Sequence, residues 1–197
     1  MDDKLAFMNE VLNEEVITEF RETMIKQFEI TDMGLMSYFL GIEIFLSDSA
    51  IFIFQKKYVG DILKKFKMDT AKPIMTPVEE KLKLTKEGSG GGYVNPIYFK
   101  SLVGSLRYLT STRSDINFAV GLINRFMKNS RQSHLQATKR ILRYVGGTRS
   151  DGNFYSKNDP IELFGYIDSD WVGDTIKRKS TSGYAFFISS GVRRSNR

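Results

Sequence analysis

Apolar residues recur every three to four positions in five stretches of the chain, and this is the spacing of one helix face. The stretch 96–109 has the clearest pattern, with an apolar side made of Phe99, Leu102, Val103, Leu106 and Leu109. The predicted helices span residues 13–28, 58–66, 96–109, 115–127 and 133–145. Asn13 and Ser133 are predicted N-caps, and Gly146-Gly147 ends the last helix.

Runs rich in β-branched and aromatic residues predict strands at positions 38–46, 50–55, 153–156, 163–167 and 183–188. Ser47-Asp48-Ser49 lies between the first two runs and predicts a β-hairpin. A long polar stretch, residues 168–183, lies between the last two and predicts a turn. Helices and strands that occupy separate blocks of the chain predict the α+β class.

The helix predicted at 96–109 carries small residues on the side opposite its apolar stripe. These are Ser101, Gly104 and Ser105, followed by the ring of Tyr108. A glycine inside a helix costs about 1 kcal/mol relative to alanine, so Gly104 indicates that something approaches the backbone closely. Another helix is the ordinary explanation, and a nucleic acid is the alternative.

The distribution of charge favours the alternative. Residues 1–100 contain 13 basic and 16 acidic side chains, whereas residues 101–197 contain 16 basic and 7 acidic ones. Between Ser101 and Arg149 there are nine Lys or Arg residues and one acidic residue, Asp115. Lys139, Arg140 and Arg143 share one face of the last predicted helix. Such asymmetry predicts a polyanionic partner, although a basic helix face can also serve only solubility.

Composition excludes several classes of function. The chain of 197 residues has no cysteine, which excludes disulfides and thiolate metal sites, and its single histidine makes His-based catalysis a poor hypothesis. No apolar run reaches the length of a membrane span and no signal peptide opens the chain, so we expect an intracellular protein without a membrane partner. The Gly-rich stretch 86–95 predicts a flexible loop and lacks the Lys-Ser/Thr pair of a phosphate-binding loop.

Long motifs, taken together and in this order, resemble the polyprotein of Ty1/copia-type LTR retrotransposons. They are FLGIEI, IFIFQKKYVGDILKKF, FKSLVGSLRYLTSTRSDINFAV, HLQATKRILRYVGGT and LFGYIDSDWVGDTIKRKSTSGYAFF. The resemblance implies a truncated reverse-transcriptase palm end at 1–85 and a Gly-rich loop at 86–95. A basic helical thumb or connection at 96–150 and an incomplete ribonuclease H-like α/β domain at 151–197 complete the implied organisation.

The same resemblance implies remnants of two metal-dependent sites. Asp2 and Asp3 match the catalytic and metal-binding pair of the polymerase motif, although Met1 replaces Val and Lys4 stands near the place of Leu. Asp168 matches the first acidic metal ligand of ribonuclease H. The implied cofactor is Mg²⁺, which we do not expect this chain to retain, because each site needs further carboxylates. A polar turn is the ordinary explanation of the aspartates around Asp168.

The resemblance also implies where a template–primer duplex would bind. The hairpin from Leu40 to Gln55 falls at the primer grip, and helix 96–109 resembles the thumb helix along the minor groove. The implied nucleic-acid-binding residues are Gly104, Ser105, Arg107, Tyr108, Lys139, Arg140 and Arg143. Ser114 replaces the proline of the family's Thr-Arg-Pro-Asp pattern, which we expect to loosen the start of the next helix.

Together these features predict a fragment of an RNA-directed DNA polymerase and ribonuclease H without catalytic activity. We expect residual binding of an RNA–DNA hybrid or another nucleic-acid duplex. The alternatives are a non-catalytic protein-interaction module, docking through exposed apolar edges, and an inert remnant of the retroelement.

Overall fold

The computed structural model describes residues 14–31, 34–80, 82, 84–86, 92–158, 163–170, 181–188 and 192–195. The chain divides into two units, Met1–Met36 and Ser37–Arg197. The first contains helix α1 (Glu14–Gln27), close to the predicted bounds, whereas Asn13 lies outside the described residues. On the apolar face of α1, Phe20 is 65% exposed.

The second unit is built on a five-stranded antiparallel sheet. Its strands are β1 (Tyr38–Phe39), β2 (Ile42–Leu46), β3 (Ala50–Phe54), β4 (Asp151–Ser156) and β7 (Val192–Ser195), in the order β1-β2-β3-β4-β7. The predicted hairpin is therefore confirmed as β2–β3, with Ser47 Oγ accepting from the Ala50 N–H at 3.0 Å. The first predicted run breaks at Leu40 and Gly41, whose positive φ angles of 48° and 83° make a tight turn between β1 and β2.

Strand β4 joins the end of the helical region to the hairpin. It pairs antiparallel with β3 from Ala50↔Ser156 to Phe54↔Gly152. A Cβ added to Gly152 would lie 2.4 Å from the Ile53 carbonyl oxygen, so this close strand approach requires glycine. Residues 151–156 therefore lie in the same sheet as the hairpin.

The helices of the second unit form one apolar core. They are α2 (Lys56–Lys65), α3 (Pro96–Leu109), α4 (Asn117–Asn124) and α5 (Gln132–Gly147), with a 3₁₀ turn at Ser114–Ile116. Residues from each helix are almost wholly buried in this core, among them Leu63, Leu102, Leu106, Ile123 and Leu142. The predicted bounds of α3 are confirmed, because Asn95 Oδ1 accepts from the N–H of Ile97 at 2.9 Å and Pro96 occupies the first turn.

The starts of α4 and α5 differ from prediction. Residues 114–116 form a 3₁₀ turn rather than the first turn of α4, and α4 ends at Asn124 instead of Met127. Helix α5 begins at Gln132, so Ser133 lies inside the helix and is not its cap. His134 Nδ1 accepts from the Arg131 N–H at 3.0 Å instead. A ring nitrogen therefore satisfies a backbone donor at this helix start, where the sequence pattern predicts a hydroxyl.

Strands β5 (Leu163–Asp170) and β6 (Thr181–Ile188) form a separate two-stranded antiparallel sheet. Pairing runs from Leu163↔Ile188 to Asp170↔Thr181, so both strands extend further into the polar stretch than predicted. The described part of the predicted Gly-rich loop is held in place: the N–H of Val94 donates to the Ser130 carbonyl oxygen at 3.2 Å. None of the described helices is long and apolar enough to cross a membrane.

Candidate nucleic-acid interface

One face of α3 is exposed among the described residues. Its exposed positions recur at helical spacing and are Ile97, Lys100, Gly104, Arg107 and Tyr108; together with Ser111, just beyond the helix, we call them the α3 stripe. A Cβ added to Gly104 would meet no described atom within 4 Å. No described helix packs on this glycine, so the ordinary explanation of a mid-helix glycine does not hold for the described part of the chain. Lys100 and Arg107 lie one turn to either side of Gly104, and the sequence prediction did not include Lys100.

The serines beside Gly104 are partly engaged within the protein. The hydroxyl of Ser105 donates to the Ser101 carbonyl oxygen, one turn earlier, at 3.0 Å. The carbonyl oxygen of Ser105 accepts from the hydroxyl of Tyr58 at 3.2 Å. Burial raises the pKa of that Tyr58 hydroxyl, which therefore stays protonated and able to donate. Ser105 thus links α3 to α2, in addition to the duplex contact predicted for it.

Tyr108 joins α3 to the turn between β1 and β2. Its hydroxyl donates to the carbonyl oxygen of Leu40, and its ring meets that of Tyr58 edge-to-face with centroids 5.0 Å apart. A Cβ added to Gly41 would lie 3.7–3.8 Å from these two rings. Tyr108 remains 37% exposed, so its ring contributes to the α3 stripe while its hydroxyl holds the hairpin.

The basic residues predicted on α5 are in a different situation. Arg140 Nη1 lies 2.8 Å from Glu79 Oε1, and its Nη2 donates to Thr76 Oγ1 at 3.1 Å. Arg143 Nε donates to the Lys72 carbonyl oxygen at 2.7 Å. Residues 69–80 therefore lie across these arginines; we call this segment the α5 strap. Lys139 is half-buried on the same helix. A phosphate that contacts Arg140 or Arg143 would compete with these groups of the strap for the guanidinium donors.

The most deeply buried charge is Arg113, which the sequence prediction did not single out. It is 1% exposed, and its guanidinium meets the Asp115 carboxylate through two bonds of 2.9 Å. It also donates to the carbonyl oxygen of Thr148 at 2.8 Å and to its hydroxyl at 2.6 Å. Arg113 thus satisfies the carboxyl end of α5 and ties it to the α3–α4 connection. Spacing alone gives no signal of burial for such an arginine.

Polar contacts also fix the hairpin to the helices. Glu43 Oε1 accepts from the N–H of Lys57 at 2.7 Å, which satisfies the amino end of α2. Gln55 is buried at the end of β3, and its Oε1 accepts from the Thr112 hydroxyl at 2.8 Å. Among the described atoms Gln55 Nε2 has no hydrogen-bond partner. Side-chain hydrogen bonds therefore join the hairpin to α2 and to the segment after α3.

The only histidine of the sequence, His134, lies in the first turn of α5. Burial lowers the pKa of His134, and the ring stacks on Phe126 with centroids 4.1 Å apart. Because Nδ1 accepts from the Arg131 N–H, Nε2 carries the proton and donates to the Thr85 carbonyl oxygen at 2.9 Å. Its surroundings give it a structural role, with both nitrogens satisfied by backbone groups.

The acidic residues predicted to bind metal are not brought together by the described part of the fold. Asp2 and Asp3 lie outside the described residues. Asp168 lies in β5, opposite Gly183 of β6, and its side chain is likewise outside the description. Among the described side chains no group of three His, Cys, Asp or Glu residues could hold an ion. The Mg²⁺ ligands predicted at Asp2, Asp3 and Asp168 therefore stay predictions.

Comparison with known proteins decides the family. Residues 2–80 match the family model of the reverse transcriptase (RNA-dependent DNA polymerase). An uncharacterized mitochondrial protein of Arabidopsis thaliana is 39% identical over 165 residues, which are 84% of this chain and 68% of that protein. The retrovirus-related Pol polyprotein from transposon RE1 of the same plant is 38% identical over 167 residues. The chain belongs to the copia-type retrotransposon Pol family.

The chain corresponds to a small part of the Pol polyproteins it matches. It covers 11% of the RE1 polyprotein and 14% of the Pol polyprotein from transposon TNT 1-94 of Nicotiana tabacum, to which it is 37% identical over 185 residues. No solved structure matches this chain. Membership of the Pol family and the α+β class are therefore confirmed, and the roles predicted for single residues stay predictions.

Proposed function

We propose that this chain binds an RNA–DNA hybrid duplex through the α3 stripe and catalyses neither DNA synthesis nor RNA cleavage by itself. One observation carries the proposal: Gly104 is exposed, has no described atom within 4 Å of an added Cβ, and lies between Lys100 and Arg107. A helix face of this kind lets a flat, wide surface approach the backbone while cations one turn away reach its charged rims.

The shape of the hybrid duplex fits this face. A-form-like helices have a wide, shallow minor groove that displays sugar hydroxyls, and proteins recognise it mostly by shape and backbone contacts. The bare backbone at Gly104 would lie against the sugars, and Lys100 and Arg107 would reach the phosphates on either side. Recognition by shape and charge predicts binding that is independent of base sequence.

The proposed lack of catalysis concerns the carboxylates. Asp2 and Asp3 resemble one pair of the polymerase motif, and Asp168 resembles one acid of the ribonuclease H site. Two-metal catalysis needs ions held on both sides of the reacting phosphate, which calls for further ligands. We accordingly propose that 1–85 is the end of a polymerase palm and that 96–150 is the duplex-binding thumb. We also propose that residues 151–197 begin a ribonuclease H-like domain.

A protein-docking function is the second candidate, and one observation favours it. The β5–β6 sheet exposes large apolar side chains, among them Leu163, Tyr166, Phe186 and Ile167, the last of which is 73% exposed. Exposed apolar patches of this kind mark interaction surfaces. This docking would bury apolar area and would therefore respond to salt differently from phosphate binding.

The experiment that separates the two candidates is hybrid binding across a salt series. The purified chain is titrated with a fluorescent RNA–DNA hybrid of mixed sequence at several salt concentrations. The proposal predicts binding whose logarithm falls linearly with the logarithm of salt, with a slope of about −0.9 per phosphate contacted. A folded chain that does not bind the hybrid at low salt would contradict the proposal and leave the docking function.

A further inference from the structure

The turn between β1 and β2 is held in an unusual backbone conformation by one side chain from another element. Leu40 and Gly41 both have positive φ angles, 48° and 83°, and Leu40 is not a residue that favours this region. The Tyr108 hydroxyl donates to the carbonyl oxygen of Leu40. The Leu40 side chain meanwhile points away from the core and is 72% exposed.

The turn packs on two aromatic rings, those of Tyr58 and Tyr108. An added Cβ on Gly41 would touch Tyr58 and Tyr108 at 3.7–3.8 Å, so the turn packs directly on the two rings. The two rings support each other edge-to-face, and the Tyr58 hydroxyl donates to the Ser105 carbonyl oxygen of α3. These contacts hold the turn beside the α3 stripe.

We propose that Tyr108 is a positioning residue: its hydroxyl holds the Leu40–Gly41 turn level with the α3 stripe, so that both contact the same nucleic-acid duplex. The inference rests on the proposed hybrid binding and deepens it. Among the described residues, Tyr108 is the one whose ring belongs to the stripe and whose hydroxyl binds the turn. Loss of the hydroxyl frees the turn while the stripe keeps its shape.

The first test measures the turn without any nucleic acid. Tyr108→Phe removes only the hydroxyl, and Tyr98→Phe is the matched control on the same helix, where the ring packs edge-to-face on Phe66 at 5.7 Å. The reporter is the amide of Ile44, which donates to the Ser37 carbonyl oxygen at 2.8 Å. Hydrogen exchange of that amide becomes roughly three- to tenfold faster in Tyr108→Phe and is unchanged in Tyr98→Phe. Amides of α5 keep their protection in both variants.

The second test asks whether the duplex uses the turn. Leu40→Lys places a cation on the exposed turn, and the affinity for the hybrid rises severalfold when the turn faces phosphates. In Tyr108→Phe the affinity falls roughly three- to tenfold, and Leu40→Lys then gives no gain, because the cation has no fixed position. A purely structural role for the hydroxyl leaves the gain from Leu40→Lys intact.

The outcomes separate the positioning role of Tyr108 from the proposed hybrid binding. Unchanged exchange at Ile44 in Tyr108→Phe overturns the positioning role, and so does faster exchange with unchanged hybrid affinity; hybrid binding by the parent chain then still stands. If the parent chain itself does not bind the hybrid, both the proposed function and the positioning role are wrong. Faster exchange, weaker binding and a lost Leu40→Lys gain together support it.

Discussion

Helices α3 and α5 have similar sequence patterns, but the polar face of α3 is exposed and that of α5 is covered. Both have a non-apolar face with basic residues, and both are packed on the same core through the other face. On α3 that face is open, with no described atom near the position of a Gly104 Cβ. On α5 the α5 strap lies across the face, and Arg140 and Arg143 bind groups of the strap. A basic helix face is therefore available to a polyanion only when the chain leaves it uncovered.

The difference has a chemical reason. An arginine offers five N–H donors, and nearby carbonyl and carboxylate groups of the chain compete for them with any external phosphate. On α5 the strap supplies such groups at Lys72, Thr76 and Glu79. A glycine has no side-chain donors, so hydrogen bonding does not draw other parts of the chain onto it.

The largest expected effect is a loss of stability when the buried Arg113 is replaced. Arg113→Ala removes the buried guanidinium that the Asp115 carboxylate and the Thr148 carbonyl oxygen contact. Breaking a buried pair in this way lowers the free energy of unfolding by about 3–5 kcal/mol. Urea unfolding measures the loss, and Arg107→Ala on the open stripe, as control, changes stability by less than about 0.5 kcal/mol. Equal losses in the two variants would contradict the comparison.

The next effect is on hybrid binding by the open face. Replacing Lys100 and Arg107 together by Gln removes two phosphate contacts, so the salt slope becomes shallower by about 2 and affinity at low salt falls about tenfold. The control replaces Arg125 and Lys128, which are exposed beyond α4, and leaves the slope unchanged. A similar loss in both pairs would show that only net charge matters.

A smaller effect is expected at the covered face. Arg140→Gln loses the contact with Glu79, which is 60% exposed, so solvent screening limits the loss of stability to about 0.5–1 kcal/mol. Because Arg140 is already bound to the strap, the salt slope of hybrid binding stays the same. Thermal unfolding and a salt titration check the two halves of this prediction. A slope that becomes shallower by about 1 would place Arg140 on the phosphates.

The smallest effect depends on pH. Since burial lowers the pKa of His134, the folded state favours the neutral ring, and the unfolded state binds the proton first as pH falls. Stability is therefore complete above the unfolded pKa of about 6.5 and declines below it, by at most about 1.4 kcal/mol per pH unit until the folded pKa is reached. Urea unfolding at several pH values measures this decline. His134→Gln abolishes this part of the pH dependence, and an unchanged profile would contradict the assignment.

Patterns that repeat over a few residues predicted most of the fold. The bounds of α3 follow from its apolar spacing and its Asn95-Pro96 start, and the hairpin follows from two β-rich runs around a polar turn. The pairing of β4 with β3 joins residues about a hundred positions apart, and no local pattern carries that information. Gly152 is the one residue in β4 whose type reflects the close approach, and a strand glycine has several explanations.

The candidate site was predictable only in part, for a related reason. The small-residue face of α3, with Gly104 and Tyr108, follows from the helical period, whereas Arg107 was predicted from the family resemblance alone. The occupation of Arg140 by the strap and the burial of Arg113 depend on contacts between distant segments. Charge in a sequence shows which side chains can bind phosphate and not which ones the fold has already used.

The central claim is that the open glycine face of α3 contacts a duplex, and one pair of variants tests it most directly. Gly104→Leu fills that face, and Gly121→Leu is the matched control, since Gly121 is also exposed in a helix with no described atom within 4 Å of an added Cβ. Both changes improve helix propensity by up to about 1 kcal/mol, so neither should unfold the chain.

Affinity for the RNA–DNA hybrid at constant low salt is the quantity to measure. We expect Gly104→Leu to weaken binding at least about tenfold, a loss of about 1.4 kcal/mol, while the thermal stability of the variant is unchanged or higher. We expect Gly121→Leu to bind like the parent chain. Equal affinity of Gly104→Leu and Gly121→Leu would contradict the claim that the duplex lies on this face.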